Sequence, residues 1–241
     1  MILRIFGHDF HYECESLCRV YFPNEKINIV YDESGEDSKT VVTRCIAAEN
    51  GNIIGVEADV DGETRSLEAF VTADEAEMRD KCELKTAQLI FETLSDITGY
   101  TPPWGVLTGV RPSKVATDLL KKGVSKTRVK KILSSEYFVI PKKAALATDV
   151  ALNEARLIAT PDKRDCSVYV SIPFCPTRCA YCSFVSYTSK RLLSLIPDYL
   201  AKLCDEIKDV FACINRMGLR VKTVYIGGGT PTTLPQKELE R

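Results

Sequence analysis

Three cysteines within eight residues carry the sharpest chemical signal in the chain. Cys175, Cys179 and Cys182 are spaced C-x3-C-x2-C within Ile172-Pro173-Phe174-Cys175-Pro176-Thr177-Arg178-Cys179-Ala180-Tyr181-Cys182-Ser183-Phe184. Thiolates on so short a loop can converge on one metal centre. A tetrahedral structural zinc site needs a fourth Cys or His, and none lies nearby. The common four-cysteine iron–sulfur spacings do not match either. A four-iron cluster on three thiolates would keep one iron free of protein and open to a small molecule. From these residues alone three readings stand: an iron–sulfur cluster, zinc, or inert packed thiols.

A second signal follows downstream, where Gly227-Gly228-Gly229 runs into Thr230-Pro231-Thr232. Residues without side chains let a ligand touch the backbone. The run is not a dinucleotide fingerprint, because its sixth position is Thr232, and it lacks the Gly-Lys of a phosphate loop. The plainer alternative is a tight turn with no ligand.

The elements around these loops decide where they point. Val168 to Ile172 is an apolar, β-branched run, read as a buried strand that ends at the cysteines. Leu192 to Met217 has helical spacing, with Leu200, Leu203, Ile207, Val210, Phe211 and Ile214 on one stripe. Pro197 fits its first turn and Gly218 its end. Val221 to Ile226 is a second strand leading into the glycines. Strand, helix, strand makes a βαβ unit with parallel strands. Ligands bind at the carboxyl ends of such strands, so the two loops are expected on one edge.

Upstream, the pattern is α+β. Short β-prone runs span Ile2 to Phe6, Ile27 to Tyr31, Val41 to Ala47, Ile53 to Val60 and Arg65 to Val71. Glu49-Asn50-Gly51-Asn52 and Asp61-Gly62 read as hairpin connections. Helical spacing takes over at 74–98, with Gly99 as its stop, and further helices are expected after Pro112, near 125–135 and over 141–159. A polar boundary at Pro161-Asp162-Lys163-Arg164-Asp165 divides the chain into an accessory domain, 1–161, and a second domain, 162–241. Thr233-x-x-Gln236 resembles the start of a further helix.

Composition narrows the class. The chain has 241 residues, 45% hydrophobic and 27% charged, with a net charge of −1. That is a globular composition, neither disordered nor collagen-like. No overall field points to nucleic acid or an anionic membrane. No apolar stretch approaches the roughly 18 residues that cross a bilayer, and no secretory leader is visible, so a cytoplasmic protein is expected. Ten cysteines in such a chain suggest a metal or redox site more than disulfides. The two histidines, His8 and His11, are too few for a multi-histidine zinc enzyme. Residues 111–143 hold ten basic and two acidic residues, read as a solvated helical surface without an RNA-binding motif. Cys14 and Cys18 have i, i+4 spacing and read as a half-buried helix face. Cys45, Cys82, Cys166, Cys204 and Cys213 read as packing residues, and Trp104 as a loop anchor.

The cysteine loop after one strand and the Gly-Gly-Gly-Thr-Pro loop after the next resemble the radical S-adenosylmethionine (radical SAM) superfamily. Tyr169-Val170-Ser171-Ile172-Pro173-Phe174-Cys175 and Tyr225-Ile226-Gly227-Gly228-Gly229-Thr230-Pro231-Thr232 are similar to the oxygen-independent coproporphyrinogen III oxidase family. Pro103-Trp104-Gly105-Val106-Leu107-Thr108-Gly109-Val110-Arg111-Pro112 looks like its HemZ-type subgroup. The resemblance implies an α/β protein: an α+β N-terminal domain, then the first βαβ unit of a (β/α) partial barrel. It implies that Cys175, Cys179 and Cys182 ligate a 4Fe-4S cluster. Tyr169, Tyr181, Gly228, Gly229 and Thr230 would contact S-adenosylmethionine. One electron from the cluster would cleave the sulfonium to methionine and a 5′-deoxyadenosyl radical, which would abstract hydrogen from a propionate of coproporphyrinogen III. Loss of carbon dioxide and an electron would then give a vinyl group, on the way to protoporphyrinogen IX. The implied partners are the porphyrinogen substrate and a cytosolic one-electron donor, with no membrane and no nucleic acid.

Two positions depart from the best-characterised oxidases. Ser171 stands where they have His, and Phe184 where they have Cys. Relatives with the Phe version include haem-handling proteins that are not oxidases, so a haem-binding or haem-transfer protein is the alternative. The family barrel has about six or more strand–helix units and this chain shows two strands. A truncated chain, inactive alone, is therefore expected.

Overall fold

The computed structural model describes residues 1–109, 111–157 and 162–240. The chain divides into two compact units, Met1–Leu157 and Ile158–Arg241. The expected boundary at Pro161, the end of the helix expected over 141–159, and Val110 of the upstream motif lie outside the described residues.

The first unit is built on a five-stranded sheet. Its elements are β1 (Ile2–Phe6), α1 (His11–Tyr21), β2 (Asn28–Val30), β3 (Lys39–Ala48), β4 (Gly51–Val60), β5 (Glu63–Val71) and α2 (Glu75–Thr98). The strand order is β2-β1-β3-β4-β5, with β1 parallel to β2 and β3, and β3, β4 and β5 antiparallel. Alternation puts Leu3 and Ile5 of β1 and Ile54, Val56 and Ala58 of β4 in one core. Leu17 of α1 and Ile90 and Leu94 of α2 share it. Cys14 and Cys18 are both buried there, deeper than the half-buried face expected of them. Gly99 closes α2 at φ 66°, its N–H donating to Ser95 O at 2.9 Å.

Three further helices follow in this unit: α3 (Ser113–Lys121), α4 (Lys126–Ser135) and α5 (Pro141–Leu157). Ala116, Val129, Leu133, Ala144, Ala147 and Ala151 form their small-residue core. Trp104 packs on it, under the Lys143 ammonium 5.1 Å from its ring, which is the anchoring expected of it. Gly105, at φ 59°, leaves room for the Tyr137 carbonyl, which accepts from the Val106 N–H at 3.0 Å.

The second unit pairs β6 (Asp165–Ile172) in parallel with β7 (Arg220–Gly228). Between them lie α6 (Lys190–Leu193) and α7 (Ile196–Arg216); a 3-10 turn (Pro231–Thr233) and α8 (Gln236–Leu239) follow. At the amino ends of the strands, Asp165 accepts from Arg220 at 2.6 Å and from Lys222 at 3.3 Å. Those cations hold its carboxyl below the usual range, the Arg220 hydrogen bond foremost. The core here is small: Ile172, Phe174, Leu200 and Leu234.

Three expectations are corrected in this unit. The β6 strand is not fully buried: a two-stranded sheet covers little, and only Ile172 of the strand is closed off. Cys204 and Cys213 are half-buried rather than core residues, because Leu200 alone of α7 is buried. The last helix starts after Pro235, not at Thr233, whose hydroxyl instead donates to Phe174 O at 3.5 Å. No helix among the described residues is long and apolar enough to cross a membrane.

Candidate metal centre

Both chemistry-bearing loops leave the carboxyl ends of the β6–β7 pair. Pro173 has no N–H and ends β6. Phe174 turns into the small core, and Cys175 follows with its side chain almost closed off. The Cys175 N–H donates to Tyr187 O at 3.0 Å, and the Tyr187 N–H to Pro173 O at 2.7 Å. These bonds pin the neck of a loop, 176–186, that carries Cys179 and Cys182. Within it the Cys182 N–H donates to Cys179 O at 3.1 Å.

The glycine loop is clamped to that neck. The Gly229 N–H donates to Ile172 O and the Thr230 N–H to Phe174 O, both at 2.8 Å. The Thr230 hydroxyl lies 3.4 Å from Cys175 Sγ and donates to it. The close approach explains why side chains are missing. A Cβ on Gly228, at φ 104°, would sit 2.8 Å from Ile172 O, and one on Gly229 would sit 2.7 Å from Cys175 Sγ. The glycines thus serve the contact between the two loops, a role that neither reading of the sequence anticipated.

The other expected site residues are placed as follows. Tyr169 projects from β6 beside Tyr225 of β7, its register partner, with ring centroids 5.5 Å apart. Tyr181 rides the cysteine loop and is 90% exposed. The Cys179 sulfur beside it pushes the pKa of its phenol up. Ser171 has its carbonyl taken by the Tyr199 hydroxyl at 2.6 Å. Cys175 is joined to Thr230, whereas Cys179 is exposed and Cys182 half-buried. Among the described residues no three metal-ligating side chains are gathered into one group.

The donor set nonetheless suits a cluster by its chemistry. Residues 176–184 supply two soft thiols and no carboxylate or imidazole. The Ser186 hydroxyl, at the neck, is buried with no hydrogen-bond partner among the described residues. Such an orphan costs about 1–3 kcal/mol and is the kind of atom an added group satisfies. Tyr187, Ser186, Tyr199 and Tyr225 had no part in the expected site. Only Tyr225 left a trace in the sequence, as the strand position two before the first glycine.

Comparison with known proteins bears on these loops directly. Residues 169–241 match the family model for the radical SAM superfamily. Over 238 residues the chain is 29% identical to the oxygen-independent coproporphyrinogen-III oxidase-like protein HemZ of Bacillus subtilis (strain 168), covering 92% of this chain and 47% of that protein. It is 42% identical over 73 residues to the heme chaperone HemW of Mycobacterium tuberculosis (strain H37Rv), covering 30% of this chain and 18% of HemW. The heme chaperone HemW of Escherichia coli (strain K12) is 39% identical over 70 residues, 28% of this chain and 17% of its own. The chain therefore spans about half the length of the HemZ relative and less than a fifth of the HemW proteins. No solved structure matches. Residues 169–241 are thus similar to the radical SAM superfamily, within a chain similar over most of its length to a HemZ-type coproporphyrinogen-III oxidase-like protein.

Proposed function

We propose that this chain belongs to a radical SAM enzyme of haem biosynthesis that oxidatively decarboxylates coproporphyrinogen III to protoporphyrinogen IX. The observation that carries the reading is the junction at Cys175, where the Thr230 hydroxyl of the glycine loop reaches the first thiol of the C-x3-C-x2-C loop. In this reading Cys175, Cys179 and Cys182 hold a 4Fe-4S cluster, and Tyr169, Tyr181, Gly228, Gly229 and Thr230 hold S-adenosylmethionine. When bound, the pair supplies an electron and a 5′-deoxyadenosyl radical, chemistry that belongs to the cofactors. The protein's share is to bind, orient and shield. Cys175 is the fixed ligand, anchored through its own N–H and the Thr230 hydroxyl. Cys179 and Cys182 are the exposed and half-buried partners on the loop. A cytosolic one-electron donor completes the proposal.

A second reading, a haem-binding or haem-transfer protein, is favoured by Phe184 and by the names of the HemW relatives. One set of measurements separates the two. The chain is reconstituted anaerobically with iron and sulfide. Electron paramagnetic resonance of the reduced sample is then recorded with and without S-adenosylmethionine, and haem is titrated in parallel. A four-iron signal that shifts with S-adenosylmethionine supports the cluster site. Stoichiometric haem binding, together with a full-length form that leaves coproporphyrinogen unchanged, favours the second reading. Zinc bound in place of iron by a folded chain overturns the first reading.

A further inference from the structure

We propose that Tyr225 is a positioning residue for the S-adenosylmethionine site, acting through Tyr169. The inference rests on the reading that Tyr169 contacts that cofactor, and adds a residue to it. Tyr169 and Tyr225 are register partners on adjacent parallel strands. Their rings stack at 5.5 Å with an interplanar angle of 29°, and both are more than half exposed. They share the sheet face that carries Ser167 and Thr223, whose hydroxyls bond at 2.8 Å. Two residues nearer the strand ends, that face reaches Gly227.

Gly227 sets the direction of the rings. A Cβ built there would lie 2.5 Å from Tyr225 Cε1 and 2.7 Å from the Tyr169 hydroxyl oxygen. Both rings therefore lean over bare backbone toward the carboxyl ends, where Cys175 and Thr230 meet. Tyr169 makes no hydrogen bond that fixes its phenol among the described residues. What restrains it is the stack against Tyr225 and the space left at Gly227. An aromatic pair of this kind holds its partner by area and quadrupole geometry, not by the hydroxyl. Phe at 225 should serve, and Leu should not.

The test is equilibrium dialysis of labelled S-adenosylmethionine against the anaerobically reconstituted chain, with iron content and cluster spectrum recorded on the same samples. Tyr225→Leu should weaken binding about tenfold, and Tyr225→Phe should stay within about twofold. In a Tyr169→Leu background, Tyr225→Leu should cost nothing further, the mark of a residue that acts through another. Gly227→Ala should reproduce the loss, and it decides the matter if Tyr225→Leu does not fold. Unchanged binding in Tyr225→Leu overturns the inference. So does a Tyr225→Phe variant as weak as Leu, or a Leu penalty that multiplies in full without Tyr169. A chain that holds its cluster yet binds no S-adenosylmethionine overturns this inference and leaves the cluster assignment standing. A folded chain that holds no iron overturns the proposed function itself.

Discussion

The Thr230 hydroxyl donates to Cys175 Sγ at 3.4 Å, tying residues 55 positions apart in the chain. Thr230 is held by its own N–H on Phe174 O at 2.8 Å, so the hydroxyl is delivered by backbone already in place. A donor aimed at a ligating sulfur tunes how tightly that sulfur holds metal. Thr230→Val keeps the shape and removes the donor. The expected outcome is a chain that still takes up iron but gives it up to a chelator roughly tenfold more readily, as outer contacts of this kind typically do. Iron retention against a chelator series checks it, and a variant that matches the original would show the hydroxyl to be idle.

The glycine contacts predict an asymmetry between substitutions. Gly228→Ala meets the Ile172 backbone at 2.8–3.0 Å and keeps a φ of 104°. Neither backbone can yield cheaply, and such overpacking costs about 1–3 kcal/mol, with strain adding to it. Gly55→Ala in β4 meets nothing within 4 Å. It should be neutral or stabilise by about 0.4–1 kcal/mol, because alanine has less freedom to lose on folding. Hydrogen exchange over 165–172 and 220–228, and separately over 51–60, reads the two units independently.

Thiol accessibility supplies a third prediction. Cys179 is exposed, whereas Cys14 and Cys18 are 2% and 0% exposed. Burial pushes the Cys14 thiol up to about 12 and the Cys18 thiol higher still. Since the thiolate is the reacting form, iodoacetamide should label Cys179 more than about tenfold faster than either. Reconstitution with iron and sulfide should then protect Cys175, Cys179 and Cys182 and leave the labelling of Cys204 and Cys213 unchanged. Protection elsewhere, as read by peptide mass mapping, would place the metal on other residues.

How much of this was legible depended on how local its cause was. The hairpin at Asp61-Gly62 was readable because both residues take positive φ, 53° and 90°, as a tight two-residue turn demands. The stop at Gly99 followed from similarly short-range chemistry, whereas the pairing of β6 with β7 was readable because a strand–helix–strand sequence brings its two strands together in parallel. The neck between Cys175 and Tyr187 left no trace, because a backbone bond carries no side-chain signature. Thr233 looked like a helix cap, yet its hydroxyl was taken by Phe174 O, a group 59 residues away. The spacing picks out the α7 stripe, but the core packing expected of Cys204 and Cys213 beside it fails, since periodicity names a face without showing what covers it. The meeting of the cysteine and glycine loops was foreseeable from strand parallelism alone, and the contacts at Cys175 bear it out.

His8 gives the first unit a pH dependence whose sign can be worked out. The Phe10 N–H donates to its Nδ1 at 3.2 Å, so the ring proton sits on Nε2, 3.0 Å from the Thr43 hydroxyl oxygen. The Thr43 hydroxyl in turn donates to Arg4 O at 3.3 Å. A second ring proton would face the Phe10 N–H, and burial lowers the pKa from its ordinary 6.5 to about 4, against the pull of Asp9. The folded pKa lies below the unfolded one. Between pH 6.5 and about 4 the unfolded chain therefore binds a proton that the folded chain refuses, and stability falls as pH drops through that window. The full shift would be worth about 3 kcal/mol, cut to about 1–2 kcal/mol by solvent screening at a half-buried ring. Urea unfolding of the chain and of His8→Gln at pH 7, 5.5 and 4.5 tests this, since carboxylate titration is common to both. The stability gap between them should narrow toward low pH by about 1–2 kcal/mol in favour of the variant; parallel curves would mean that His8 keeps its ordinary pKa.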